Sequence, residues 1–157
     1  MYRFLNLKEI IMKKTLIALA LTLAVGASMA AEVNVDAVRD NRSGANGVRA
    51  AVSVASDFAV TPVVSVTRIN NQYTRYAGGA RYDFVTVGPV TLSGTGTAVY
   101  QDTVRGKSGY GLTAGLGAEV NLVKNVNLVA SVERFVGQQR VASANGAVVA
   151  VGLNVKF

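Results

Sequence analysis

Charged residues at alternating positions are the first candidates for chemistry in this chain. They share a face with small and polar residues, mainly glycine, serine and threonine. Four acids and three bases nearly balance, which favours a buried network of ion pairs, because unpaired charge in a narrow interior is very costly. A gate for ions or protons is the alternative use of the same set. The residues are Asp36, Arg49, Arg81, Asp83, Glu119, Glu133 and Lys156.

A second group of charges is basic and lies in or beside the polar connections between the alternating segments. Only Asp40 and Asp102 offer acidic counterparts there. Guanidinium groups suit bidentate contacts to phosphate, so the sequence predicts a rim that binds phosphate-bearing groups. Ordinary solvated loop charge is the alternative. The eight residues are Arg39, Arg42, Arg68, Arg75, Arg105, Lys107, Arg134 and Arg140.

Enzyme chemistry finds little support in the residue types. The chain has no histidine and no cysteine, and a serine without a basic partner is a weak nucleophile. The glycines do not form a GxGxxG phosphate-binding motif between a strand and a helix, and no metal-ligand constellation is visible. We therefore expect a protein that is not an enzyme, with no catalytic residues, no cofactor and no metal site.

Composition limits the kinds of fold that can hold these residues. The chain has 157 residues, half of them hydrophobic and 16% charged, which fits one domain. Beyond the N-terminus no apolar run reaches about 18 residues, the length of a spanning helix. Valine, threonine and glycine are abundant, which favours strands. After residue 30 the net charge is +4, from twelve bases and eight acids, too little to indicate nucleic acid as a partner.

The N-terminus has the three parts of a secretory signal peptide. Met12, the expected start, opens a positive segment with two lysines; Thr15–Val25 is an apolar run, and Gly26–Ala30 supplies the small residues of a cleavage site. We expect residues 1–30 to be an N-terminal extension and signal peptide, and residues 31–157 to be the mature domain. An uncleaved membrane anchor is the alternative, although the apolar run is short for one.

Eight segments after the signal peptide alternate apolar residues with small or polar ones, which is the period of a strand with two different faces. Their lengths match the roughly 9–11 residues that a tilted strand needs to cross a bilayer. The phase of the alternation is ambiguous around Arg68 and Arg134. The segments are Glu32–Arg39, Val48–Ala55, Val63–Ile69, Arg75–Phe84, Val90–Tyr100, Tyr110–Leu122, Val126–Phe135 and Ala147–Phe157.

The connections between these segments alternate between longer polar loops and short turns. This layout predicts an all-β fold, an antiparallel up-and-down transmembrane β-barrel of eight strands, with long loops outside and both chain ends in the periplasm. Large apolar residues would then face lipid, whereas a soluble barrel places them inside. The longer connections are Asp40–Gly47, Asn70–Thr74, Gln101–Ser108 and Gly137–Gly146.

The final segment carries a resemblance to a known family. Val149, Val151, Leu153 and Val155 alternate up to a terminal Phe157. Together with the signal peptide and the eight segments, this pattern resembles the small OmpA-like and OmpX-like outer-membrane β-barrels of Gram-negative bacteria. The resemblance covers the whole mature domain and implies that the terminal aromatic is an assembly signal for the barrel assembly machinery. It also implies a place in the cell outer membrane, contact with outer-membrane lipid and a monomer.

Four functional hypotheses follow. The leading one is a structural role in envelope integrity, with the basic outer rim in contact with lipopolysaccharide. The second is a narrow porin-like channel for ions or very small solutes. The third is a soluble periplasmic β-domain that binds a ligand or partner, because one apolar face would also serve a sandwich. The fourth, an enzyme of lipid A, would have to act without a histidine.

Overall fold

The computed structural model describes residues 31–54 and 59–157. The predicted signal peptide lies outside these residues, as does Ala55, at the end of the second predicted segment. Within the described part of the chain, no helix is long and apolar enough to cross a membrane.

Eight antiparallel strands close into a barrel in which each strand pairs with its neighbours in sequence and the last strand pairs with the first. The prediction of an eight-stranded up-and-down barrel is confirmed. Closure gives every strand two partners, so the sheet has no free edge. A short 3-10 helix, Gln139–Ala144, precedes the last strand. The strands are β1 (Ala31–Asp40), β2 (Asn46–Val54), β3 (Val60–Ile69), β4 (Tyr73–Val87), β5 (Val90–Thr103), β6 (Gly109–Val123), β7 (Val126–Gly137) and β8 (Gly146–Lys156).

Over most of the barrel the two faces of the sheet are sorted as the alternation predicts, with polar side chains inside and large apolar side chains outside. Asp36, Gln101 and Asn154 are only 1–2% exposed, whereas Leu112 is 65% and Leu116 is 61% exposed. A soluble protein shows the opposite arrangement, because water favours polar groups at the surface. An apolar outer wall of this kind suits hydrocarbon.

The strands keep their phase through the two positions where the sequence is ambiguous. Arg68 lies opposite Val48 of β2, and Arg134 lies opposite Ala147 of β8. Both arginines are exposed and continue the outward faces of their strands. A long basic side chain can lay its stem along an apolar wall and extend its charge beyond it. Charge at these positions therefore requires no change of register.

The barrel has two different ends. The terminal end carries the start of β1, the end of β8 and the two-residue turns 88–89 and 124–125. The connection after β3 is a turn of three residues, shorter than the predicted loop Asn70–Thr74, because Tyr73 and Thr74 already pair with β3 and β5. The opposite end, which we call the loop end, carries the connections 41–45, 70–72, 104–108 and 138–145.

Candidate functional site

Arg49 holds two carboxylates in the middle of the barrel interior. Its Nε lies 2.6 Å from Oδ2 of Asp36, which is directly opposite on β1. Its Nη1 contacts Glu133 of β7, and its Nη2 donates a hydrogen bond of 2.9 Å to Oγ of Ser131. One guanidinium thus links three strands and neutralises Asp36, whose side chain is fully buried. We call these four residues the Arg49 cluster.

A second cluster of charges lies closer to the terminal end. Nζ of Lys156 lies 2.7 Å from Oε1 of Glu119 and 3.5 Å from Oε1 of Glu32. Nη2 of Arg81 lies 3.2 Å from Oε2 of Glu32, and its Nε lies 3.1 Å from Oδ1 of Asp83. The Asp83 side chain is 42% exposed, and the pairing of β4 with β5 shifts register immediately after it. This terminal-end cluster joins β1, β4, β6 and β8.

The two clusters bring together the seven charges that the sequence singles out and one that it does not. Glu32 is four residues from Asp36 and shares the inward face of β1 with it. This spacing was the sign in the sequence that Glu32 belongs to the interior charges. Its Oε2 also accepts a hydrogen bond of 3.0 Å from Nδ2 of Asn154. A polar cavity of about 80 Å³ lies between the clusters and is lined in part by Ser65 and Thr95. Whether the network only pairs charge or also gates ions stays a prediction.

Apolar and aromatic side chains fill the barrel interior at the loop end. Phe135 and Ile69 are at most 1% exposed, and each belongs to a separate buried cluster. This packing could not be read from the alternation, because all but one of these residues occupy the polar face of their strands and Val141 lies on the 3-10 helix. We call the two clusters together the loop-end plug: Val38, Ile69, Tyr73, Val148 and Ala150 in one, Val99, Phe135 and Val141 in the other.

Arg75 lies inside this plug, so the prediction that it belongs to the outer rim is wrong. It is only 6% exposed. Its guanidinium carbon lies 4.1 Å from the ring centres of both Tyr73 and Phe135, and its Nε donates a hydrogen bond of 2.8 Å to Oε1 of Gln101. Cation–π attraction on two sides explains how a buried arginine is accommodated. Arg75 is an even number of residues from Arg81 on the same strand, and this spacing indicated that its side chain points inward.

Three of the predicted rim bases, Arg39, Arg68 and Arg134, face outward from the barrel wall near the loop end, and all three are exposed. They lie on β1, β3 and β7, so neighbouring members are two strands apart, roughly 10 Å across the sheet. We call them the arginine girdle.

The members of the girdle lie at one height along the barrel axis. On β8, Arg39 lies opposite Val149 and Arg134 lies opposite Ala147, two residues earlier. On β2, Arg68 lies opposite Val48 and Arg39 lies opposite Asn46, again two residues earlier. This shift of one residue per strand, always toward the terminal end, follows the stagger that tilted strands show at constant height in a barrel.

The other side of the wall carries tyrosines near the same level. Tyr100 of β5 lies opposite Tyr76 of β4 on one side and opposite Tyr110 of β6 on the other, and all three point outward. The rings of Tyr100 and Tyr110 lie 5.1 Å apart and are tilted by 56°. Tyrosine is enriched where a membrane meets water, and the level of these rings is typical of such a position.

The remaining rim bases lie in the loop-end connections. Arg42, Arg105 and Lys107 are exposed and line the mouth of the barrel, not its outer wall. Arg140 is exposed on the 3-10 helix. The eight predicted bases thus divide into the girdle, the mouth, one residue on the helix and the buried Arg75.

The terminal aromatic lies at the opposite end of the barrel. Phe157 follows β8, and its backbone N–H donates a hydrogen bond of 2.9 Å to the carbonyl oxygen of Ala31. Its side chain is 74% exposed, which leaves the ring accessible. Its recognition by assembly machinery stays a prediction.

Comparisons with known proteins place this fold. No family model and no curated protein matches the chain. Among solved structures, the N-terminal β-barrel domain of Pseudomonas aeruginosa OprF is 14% identical, with 82% of this chain and 97% of that one covered at a TM-score of 0.62. The Yersinia pestis outer membrane protein Ail is 13% identical, with 83% and 100% covered at 0.58. A de novo designed transmembrane β-barrel is 18% identical, with 83% and 98% covered at 0.61.

These matches define the class of fold as the small eight-stranded outer-membrane β-barrel. The resemblance to OmpA-like and OmpX-like barrels is confirmed at this level. Identities of 13–18% show the fold alone, and a designed barrel shares it as well as natural ones. The function therefore has to be argued from the sites that this chain carries on the fold.

Proposed function

We propose that this chain is a monomeric, non-enzymatic outer-membrane β-barrel that supports envelope integrity and binds the phosphates of lipopolysaccharide with its arginine girdle. The loop end would face the cell exterior and the terminal end the periplasm, with Phe157 as the signal for the barrel assembly machinery. The observation that carries the proposal is the common height of Arg39, Arg68 and Arg134 on the outward wall.

The girdle lies directly above an apolar wall. Toward the terminal end from Arg134, the outward side chains of β7 include Val132 and Leu128, which are 45% and 40% exposed. On β1, Val35 lies four residues below Arg39 on the same outward face and is 57% exposed. An arginine at the edge of such a wall can bury its stem along hydrocarbon and hold its guanidinium at the level of the headgroups. There it can form paired, charge-assisted hydrogen bonds with phosphate.

The girdle covers one side of the barrel. Arginines stand on β7, β1 and β3, whereas β4, β5 and β6 carry Tyr76, Tyr100 and Tyr110 near that level. Tyrosine rings anchor a barrel at the interface but supply no positive charge for phosphate. We therefore expect lipopolysaccharide to bind mainly along the side from β7 through β1 to β3.

The test compares two variants that each remove three positive charges. The mature chain is refolded in detergent micelles with and without lipopolysaccharide, and the temperature at which the compact band on unheated gels converts to the unfolded band is recorded. A ligand that binds only the folded state raises this temperature. We expect lipopolysaccharide to raise it for the wild type and not for the triple variant R39Q/R68Q/R134Q.

The matched control is R42Q/R105Q/K107Q, which changes the mouth of the barrel and leaves the girdle intact. It should keep the full rise in conversion temperature. An equal loss in both variants would mean that binding follows net charge alone and would contradict the girdle as the site. A wild type that shows no rise would contradict lipopolysaccharide binding altogether.

A channel is disfavoured by the loop-end plug. The polar cavity of about 80 Å³ is separated from the loop end by buried side chains that include Ile69 and Phe135. We expect no steady conductance from the wild type in planar bilayers. A conductance abolished by Arg81→Gln or Glu119→Gln would instead favour the channel. The soluble alternative is disfavoured by the exposed apolar wall, which water would not tolerate at this extent.

A further inference from the structure

A basic bowl of about 500 Å³ opens at the loop end, above the plug. We propose that this loop-end bowl binds a compact soluble polyanion that carries several phosphate or sulfate groups, such as a multiply phosphorylated sugar. The site is distinct from the arginine girdle, which lies on the outer wall. It rests on the closed barrel and does not depend on the lipopolysaccharide contact proposed above.

All four loop-end connections contribute to the bowl. Arg42 comes from the first, Asn71 from the second, Arg105 and Lys107 from the third and Val141 from the fourth. Residues so far apart in sequence surround one space because closure of the barrel arranges its loops in a ring. The volume falls within the roughly 300–1,000 Å³ that is usual for small-molecule sites.

The bowl is positive. Among the described residues, its lining includes three cations and no carboxylate, and none of these cations forms a salt bridge with a described residue. The nearest acids of the loop end have other partners, since Asp40 accepts a hydrogen bond from Ser43 and Asp102 accepts one from Ser108, both at 2.9 Å. Arg75 adds a buried positive charge below the floor. A concave surface of one sign concentrates ions of the opposite sign.

The floor of the bowl is closed by two buried side chains. Tyr73 and Gln101 form it and are 3% and 1% exposed. The Tyr73 hydroxyl is itself buried and interacts with the carboxylate of Asp40, so it lies out of reach of a ligand. The exposed cations of the loops therefore supply the contacts to an anion in the bowl.

The shape and the charge together select the class of ligand. The plug closes the floor, so the bowl admits a compact molecule and not a chain that threads through the barrel. Arginine forms paired hydrogen bonds with phosphate or sulfate. A molecule with several such groups can contact Arg42 on one side of the bowl while it contacts Arg105 and Lys107 on the other. A neutral sugar would leave these charges unpaired.

The experiment is a calorimetric titration of the refolded mature chain in detergent with inositol hexakisphosphate, with uncharged inositol as the ligand control. We expect saturable binding of the phosphorylated compound alone, weakened by salt. R42Q/R105Q/K107Q should lower the affinity about tenfold or more, because it removes the strong charge-assisted contacts.

R39Q/R68Q/R134Q is the control of equal charge, and its affinity should stay within about twofold of the wild type. The gel shift on heating shows that each variant forms the barrel. An equal loss of affinity in both triple variants would overturn the proposal, because binding would then follow net charge. So would the absence of saturable binding to the wild type.

Phosphate groups could also reach the bowl on a lipid, and the two triple variants distinguish this source. If R42Q/R105Q/K107Q also abolishes the rise in conversion temperature with lipopolysaccharide while R39Q/R68Q/R134Q keeps it, the bowl takes lipid-borne phosphate. That result would overturn the girdle and the soluble ligand while the bowl remained the anion site. Failure of the girdle alone would leave the calorimetric result unchanged.

Discussion

The loop-end plug and the Arg49 cluster fill two levels of the same narrow interior in different ways. In the plug, Phe135 and Ile69 are buried at 0% and 1% exposure, and the charge of Arg75 rests between two aromatic rings. In the Arg49 cluster, the charge of a guanidinium is neutralised by carboxylates of β1 and β7. One barrel thus accommodates two buried arginines by different chemistry.

The comparison shows that the interior of a small barrel need not be polar. It has to be filled, because eight strands leave space for side chains only, and its polar groups have to find partners. Apolar packing fills the space and leaves only a few polar groups to be paired, whereas an ion-pair cluster must both fill the space and pair all its charges. The plug should therefore respond to lost volume and the Arg49 cluster to lost charge.

The largest effect is expected from Arg49→Met. Loss of the guanidinium leaves the fully buried Asp36 without its ion pair, and breaking one side of a buried pair costs about 3–5 kcal/mol. The free energy of unfolding is measured with urea after refolding in lipid vesicles. Lys156→Met is the control, because its side chain is 39% exposed and more exposed pairs contribute about 1 kcal/mol or less. Equal losses would show that burial does not distinguish the two clusters.

Phe135→Ala tests the plug by volume instead of charge. The ring is fully buried and contacts the guanidinium of Arg75, so its removal should lower the free energy of unfolding by about 3 kcal/mol. Phe84→Ala is the control, because that ring is 46% exposed on the outer wall and leaves no interior cavity. A smaller loss for Phe135→Ala than for Phe84→Ala would mean that the plug contributes little to stability.

The strands and the outer wall could be predicted from the sequence because both depend on a local pattern. Leu112 and Leu116 alternate with glycines, and that period fixes which face they take. The plug could not be predicted in the same way. Val38 and Tyr73 are apolar or aromatic residues on the polar face, and only the closed barrel shows that they meet.

The basic residues take different positions in the barrel, which could not be predicted for a similar reason. Arg75 and Arg68 both stand near strand ends, so composition treats them alike, but one points into the barrel and the other away from it. The common height of the girdle depends on pairing across five strands, which no single segment encodes. The loop-end bowl depends on four connections that come together only after closure.

Gly152→Ala tests how closely the strands approach at the level of the Arg49 cluster. A Cβ there would lie 2.1 Å from the carbonyl oxygen of Val35 and 2.4 Å from Oδ1 of Asp36. The backbone would have to shift, which should lower the free energy of unfolding by about 1–3 kcal/mol. Gly96→Ala is the control, because a Cβ there meets nothing within 4 Å. Equal effects would mean that the interior accommodates extra volume freely.

The smallest effect is expected from Tyr73→Phe, which changes one buried polar atom of the plug. The ring remains and keeps its contact with Arg75, while the hydroxyl that lacks a hydrogen-bond partner is removed. Burying that hydroxyl without a partner is unfavourable, so the free energy of unfolding should stay the same or rise by about 1 kcal/mol in urea titrations without ligand. A fall of about 1 kcal/mol or more would show that the hydroxyl contributes to the fold and has a partner inside it.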